Sequence, residues 1–264
     1  MKIKVTWQLI LLSLLTLTGC KKIISVSLKN AESQLVITGE VNNLPGPYKV
    51  TVAKSVNFTS DNTFPPVSGA VVTITGNGVT DTLEEKDPGN YFTHKLTGQP
   101  GERYSLSVLV NGKYYTAASV MPRPVSLDSL TFILGRSNDI YPIANFQDPA
   151  GVDNYYQFIE FANGKKFNNG RGNSVFEDRL SDGRYIKRTL YDDSNDVKSG
   201  IILKVQMKCI DKAVFTYLNE LLQISGNGGG FSSPAPANPD SNISGGALGY
   251  FSANTVSSQT VEIQ

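Results

Sequence analysis

Tyr104-Ser105-Leu106-Ser107-Val108-Leu109-Val110-Asn111-Gly112-Lys113-Tyr114-Tyr115-Thr116-Ala117-Ala118-Ser119-Val120 decides the fold class. Two runs rich in β-branched and aromatic residues flank Asn-Gly, the dipeptide that a two-residue hairpin loop favours because both of its corners need positive φ. Gly98-Gln99-Pro100-Gly101 turns the chain into this hairpin, and Met121-Pro122-Arg123-Pro124 ends it. Neither proline can donate to a ladder, and the residue before each is pushed toward extended geometry.

The same grammar runs upstream. Gln34 to Val41 and Tyr48 to Lys54 read as strands around Pro45-Gly46-Pro47, and Gly69 to Gly78 is a strand ending in a tight turn. Residues Thr80 to Glu84 pair back. Asp87-Pro88-Gly89-Asn90 is a further turn before a strand from Tyr91 to Leu96. About seven short strands with turns every 8 to 12 residues predict an immunoglobulin-like or transthyretin-like β-sandwich over 33–124.

Downstream, 125–264 is expected to be a β-rich domain with one helix. Strands are expected at Leu127 to Leu134, Val152 to Phe161 and Tyr185 to Tyr191. Ile201 to Ile210 alternates, with Ile201, Leu203, Val205, Met207 and Cys209 facing a core and Lys204, Gln206 and Lys208 facing water. Asp211 is placed to cap a helix over 212–224 that carries Val214, Tyr217, Leu218, Leu221 and Leu222 at helical spacing. Of the 21 residues 226–246, 16 are Gly, Pro, Ser or Asn, a composition expected to form a long loop. Within it Phe231, Pro234, Pro236 and Pro239 are candidate partner contacts: an apolar ring on a stiffened loop. Two closing strands, Ala247 to Ala253 and Ser258 to Ile263, are expected.

At the other end, Lys2 and Lys4 precede an apolar run from Val5 to Leu17, and Leu17-Thr18-Gly19-Cys20 follows. The run is shorter than the roughly 20 residues a spanning helix needs. Residues 1–19 therefore read as a signal peptide, 20–32 as a tether, and Leu-Thr-Gly-Cys resembles the bacterial lipobox. By that resemblance Cys20 carries the lipid that anchors the mature chain to a membrane. Cys209 is then alone, so no disulfide is expected.

The chemistry classes narrow quickly. With 24 Lys+Arg against 23 Asp+Glu, nothing points to nucleic acid. His94 is the only histidine, and no nucleophile elbow accompanies it, so no catalytic residue, metal centre or cofactor is expected. Asp192-Asp193-Ser194-Asn195-Asp196 offers oxygens but lacks the glycine and distal glutamate of an EF-hand loop, which leaves ion binding open there. Glu84 and Glu85, adjacent on a strand, point apart.

Several stretches together are similar to one family: Gln34 to Gly39, Gly46-Pro47-Tyr48, Pro65 to Ile74, Gly89-Asn90-Tyr91, Gly101-Glu102-Arg103-Tyr104, Asn111 to Tyr115, and Asn242-Ile243-Ser244-Gly245-Gly246-Ala247-Leu248-Gly249-Tyr250-Phe251. They resemble family 4249 of the domains of unknown function, lipoproteins of Bacteroidota. The resemblance implies an outer-membrane lipoprotein encoded beside a TonB-dependent receptor, acting in uptake as a non-catalytic binding or adaptor protein. It carries over no catalytic residue. The alternative is a structural or adhesive envelope protein, and a hydrolase ranks behind both. Family members often place acidic residues after the cysteine, whereas Lys21-Lys22 stands here, so the periplasmic and outer faces both remain open.

Overall fold

The structure, a computed structural model, describes residues 33–56, 63–135, 140–167, 173–190, 197–224 and 238–263. Leu17 to Cys20, Asp192 to Asp196, Phe231, Pro234 and Pro236 lie outside the described residues.

The hairpin forms as expected. β7 (Arg103–Val110) and β8 (Lys113–Val120) pair with Val110 opposite Lys113. Asn111 and Gly112 take φ of 49° and 78°, the two positive values the turn needs. β3 (Val71–Gly76) and β4 (Val79–Thr82) repeat the device, and together they form the four-stranded sheet β4-β3-β7-β8. Facing it are β1 (Leu35–Asn42), β2 (Lys49–Lys54), β6 (Asn90–Phe92) and β5 (Glu84–Asp87). Their inward residues, among them Ile37, Val50, Val52, Val72, Ile74, Tyr91, Tyr104, Leu106 and Val108, make the first core. The strand expected from Tyr91 to Leu96 stops at Phe92. Asp81 explains why: its Oδ2 accepts the backbone N–H groups of His94, Lys95 and Leu96 at 2.8–2.9 Å, curling that segment away from the ladder.

A second sandwich follows. β9 (Ser129–Leu134), β10 (Ile140–Gln147) and β14 (Tyr185–Thr189) form a three-stranded sheet. It packs Ala144, Phe146 and Ile186 against Tyr156 and Phe158 of β11 (Tyr155–Ala162) and Leu203, Val205, Met207 and Cys209 of β15 (Ile202–Ile210). β12 (Lys165–Lys166) and β13 (Asn173–Glu177) both pair with β11. β10 was not anticipated because Pro142 interrupts it. The Pro142 carbonyl accepts Leu190 N–H at 2.8 Å, so its missing N–H faces the same way, where β14 has ended, and the ladder to β9 loses nothing.

The closing strands are one. β16 (Leu248–Glu262) runs parallel to β1 from Leu248 to Asn254 and antiparallel to β15 from Thr255 to Glu262. It therefore joins the facing layers of both sandwiches into one nine-stranded sheet. The expected boundary near residue 124 falls between two cores, Met121 in the first and Val125 in the second, while Ser33–Gln264 forms one compact unit. At the parallel crossing Gly249 has φ 97°, and a Cβ there meets Ile37 O at 2.0 Å, so any side chain is excluded.

α1 (Lys212–Ile224) keeps its expected bounds, and Asp211 Oδ1 caps it through Val214 N–H at 2.9 Å. Its packing face follows expectation at Val214, Leu218 and Tyr217, with Phe215 alongside, but Leu221 is exposed and Leu222 only half-buried. Tyr155, Ile210 and Tyr250 on the outer face of the long sheet receive it. Lys208, expected on a wet face, is also buried, because its ammonium binds Glu40 of β1 at 2.7 Å.

Residues 238–246, read from composition as part of a structureless loop, are fixed. Ile243 is buried in the first core, Asn242 exchanges two hydrogen bonds with the Phe251 backbone, and Ser244 binds Thr116. Pro239 is half-buried between Asn238, which reaches Gln34, and Asp240, whose N–H bonds Glu220.

Candidate functional site

A cleft of about 750 Å³ opens where the two sandwiches and α1 meet. Val120, Pro122 and Arg123 supply one wall, from the end of β8 and the linker that follows. The opposite wall is the β10–β11 loop with Pro149, Ala150, Val152, Asp153 and Asn154, and the floor is Tyr155, Ile210, Asp211 and Lys212. A concave, largely apolar surface with a few charged groups at its rim is the form binding sites commonly take. Val120 and Val152 are 42 % and 61 % exposed, so the rim presents apolar surface to solvent.

Both walls are built to hold their shape. Ser119 Oγ donates to Asp211 Oδ2 and accepts Ala253 N–H at 2.8 Å, tying β8, β16 and the helix cap together behind the cleft. The opposite loop is stapled by three carboxylates. Asp148 accepts the Tyr156 hydroxyl at 2.5 Å and Gly183 N–H at 3.0 Å, Asp182 accepts Gly151 N–H at 2.8 Å, and Asp178 accepts Asn154 Nδ2 at 3.3 Å. One oxygen from each of the three lies within 4.8 Å of the others. Burial, together with the neighbouring charges of Asp178 and Asp182, holds Asp148 above the usual carboxylate range despite its two donors. Burial and the Asp148 hydrogen bond likewise push the Tyr156 hydroxyl well up, so it stays a donor. This grouping could share a cation by spacing, yet each member is already a hydrogen-bond acceptor joining residues 148–154 to 178–184. Sequence reading missed it because Asp148 and Asp182 are 34 positions apart, and Asp148 in Asp-Pro-Ala-Gly and Asp182 in Asp-Gly each read as ordinary turn chemistry.

The other sequence candidates are dispersed. His94 is half-exposed with Nε2 3.8 Å from Glu84 Oε2. Glu85 turns the other way, accepting Gly69 and Gly89 N–H groups at 2.9 and 2.8 Å. Cys209 is buried, and that burial raises its thiol above its ordinary range. Tyr155 and Tyr156 straddle the sheet with one ring under α1 and the other in the second core. None of the described residues forms a helix long and apolar enough to cross a membrane.

No curated protein matches the chain. Among solved structures it is similar to a two fibronectin type-III domain segment from chicken tenascin, at 12 % identity and a TM-score of 0.22, over 67 % of this chain and 91 % of that one. A family model described as Domain of unknown function (DUF4249) matches residues 21–260, nearly the whole sequence that follows the apolar run, and the chain belongs to that family.

Proposed function

We propose that the chain is a lipid-anchored, non-catalytic binding protein of the outer membrane, an adaptor that engages a TonB-dependent receptor during nutrient uptake. The cleft carries this reading: it is preformed, apolar at its rim, charged through Arg123, Asp153, Asp211 and Lys212, and walled by loops whose hydrogen bonds keep them rigid. A rigid rim loses little conformational entropy on binding, which favours recognition of a partner segment. The lipobox sequence ending at Cys20 supports the anchor.

The test joins both parts. Val152→Asp changes a largely exposed rim residue and should leave the fold intact while receptor recovery from detergent extracts falls at least tenfold. Cys20→Ser should release the chain from the membrane fraction. Wild-type extracts free of any receptor under several growth conditions would end the adaptor reading, and a processed, membrane-bound Cys20→Ser chain would end the anchor reading. Protease treatment of intact cells assigns the face of the membrane.

A further inference from the structure

The register of the long sheet sets three functional groups together on its outer face. Lys208 of β15 stands opposite Val256 of β16, and Glu40 of β1 stands opposite Ser252 of β16. Lys208 Nζ nevertheless reaches both Glu40 carboxylate oxygens at 2.7 Å, so its side chain crosses β16 diagonally from position 256 toward 252. Asn254 is the residue midway, and because side chains alternate along a strand it projects from that same face. Asn254 is fully buried, its Nδ2 bonds Ser252 Oγ at 3.2 Å, and its carboxamide also hydrogen-bonds the Glu40 carboxylate. Its Oδ1 is buried without a hydrogen-bond partner among the described residues.

A buried ion pair is often no more stabilising than apolar residues of similar size, and an orphaned buried acceptor adds a further cost. An amine, a carboxylate and a carboxamide held together, with Asn254 fully buried, Lys208 nearly so and the Glu40 side chain 32 % exposed, have a chemistry of their own. We propose that Lys208 and Asn254 become joined by an intramolecular amide that the folded chain forms by itself, with Glu40 as the proton carrier.

The step balances without a co-reactant. A proton passes from the Lys208 ammonium to Glu40, leaving a neutral amine beside a carboxylic acid. Lys166, whose own ammonium burial and the Lys208 charge hold below the ordinary lysine range, repels the Lys208 ammonium, whereas against the pull of burial Lys208 holds Glu40 below the ordinary carboxylate range, so the neutral pair is a minor, reactive state. The Glu40 O–H then donates to the carboxamide oxygen, which satisfies the orphaned acceptor and polarises the carbonyl. The Nζ lone pair attacks Cγ, the new C–N bond forms, and the bond from Cγ to Nδ2 breaks. Nδ2 leaves as ammonia after Glu40 relays to it the proton lost by Nζ. A primary amine and a primary amide become a secondary amide and ammonia, with no change in oxidation state. Burial keeps out the water that would otherwise hydrolyse Asn254 to aspartate. Asn42 also donates to Glu40, at 3.2 Å, but its Oδ1 is engaged by Leu44 N–H, which makes Asn254 the electrophile.

Intact mass spectrometry of the purified chain tests the bond. The expected mass is the sequence mass less one ammonia, and proteolysis should yield a branched peptide joined at Lys208 and Asn254. Lys208→Met, Asn254→Ala and Glu40→Gln should each restore the full mass. Should a variant fail to fold, the wild-type branched peptide still decides. A folded wild type with the full sequence mass overturns the proposal. So does ammonia loss that persists in Lys208→Met, which points to succinimide at an Asn-Gly turn, or a branch at Asn42.

Discussion

The two sandwiches solve one problem by different means. In the first, register is set locally: Asn77-Gly78, Pro88-Gly89 and Asn111-Gly112 close the β3–β4, β5–β6 and β7–β8 hairpins within two residues. In the second, Asn163-Gly164 closes the short β11–β12 hairpin in the same way, but the β10–β11 and β13–β14 connections are held by side chains, with Asp148 reaching Tyr156 and Gly183, and Asp178 reaching Asn154. Local turns fix strand pairing almost independently of the rest of the chain, whereas remote carboxylates depend on it. Each region nevertheless holds a buried carboxylate with remote partners, Asp81 in the first and Asp148 in the second, and the two should respond to pH in opposite senses.

The largest expected effect tests whether the two regions are separable at all. Phe251 of β16 is fully buried in the first core and Phe158 of β11 is nearly so in the second. Each change to alanine should cost about 4 kcal/mol. If β16 couples the cores, both variants lower the same single calorimetric transition. Two transitions, each moved by only one variant, would break the coupling. Next is Asp81→Ala in the first region, which leaves three backbone N–H groups without their charged acceptor and should cost about 3 kcal/mol by urea denaturation.

Acid should then separate the regions by sign. Burial alone would raise Asp81, but the N–H donors of Lys95, Leu96 and His94 hold it below the ordinary aspartate value. Its contribution is present above that ordinary value and is lost as pH falls through the depressed one, so the deficit of Asp81→Asn should shrink on acidification. Asp148 is held above the ordinary value, chiefly by burial. Its contribution is full below that value and is lost as pH rises through the raised one, so Asp148→Asn should gain on wild type toward neutral pH. Urea midpoints across that range, moving in parallel for both variants, would contradict the contrast. The smallest effect belongs to Asn111→Ala, a left-handed position in an exposed turn, at about 1 kcal/mol in the same assay.

How much was legible follows the same division. The Asn111-Gly112 hairpin and the helix capped by Asp211 were readable because turn and cap chemistry sit within a few residues of what they control. β10 was hidden by Pro142, whose lost N–H matters only on the edge where β14 stops. β16 was read as two strands because its middle, from Asn254 to Ser257, is mostly polar. That polarity makes sense only once Lys208 and Glu40 converge beside Asn254, and no local pattern announces such a meeting. The cleft was unreadable for a similar reason, since its walls come from residues near 120, 150 and 210. The family signature from Asn242 to Phe251, by contrast, reads as ordinary loop and turn residues yet has a concrete structural role. Asn242 braces Phe251, and Gly249 permits the close parallel approach of β16 to β1.

That parallel pairing also bears on the order in which the molecule assembles. Val36 meets Leu248 across more than two hundred intervening residues, so the first sandwich, though made first, lacks its central partner strand until β15 has also emerged. Closing so long a loop carries an entropic cost that growing hairpins do not meet, and contacts this remote slow folding. A chain threaded from its first residue would hold paired hairpins with an open edge at β1 while waiting, the kind of unpaired strand that invites wrong partners. Completion of both halves is then a single late event, and a chain interrupted anywhere before β16 is left with neither.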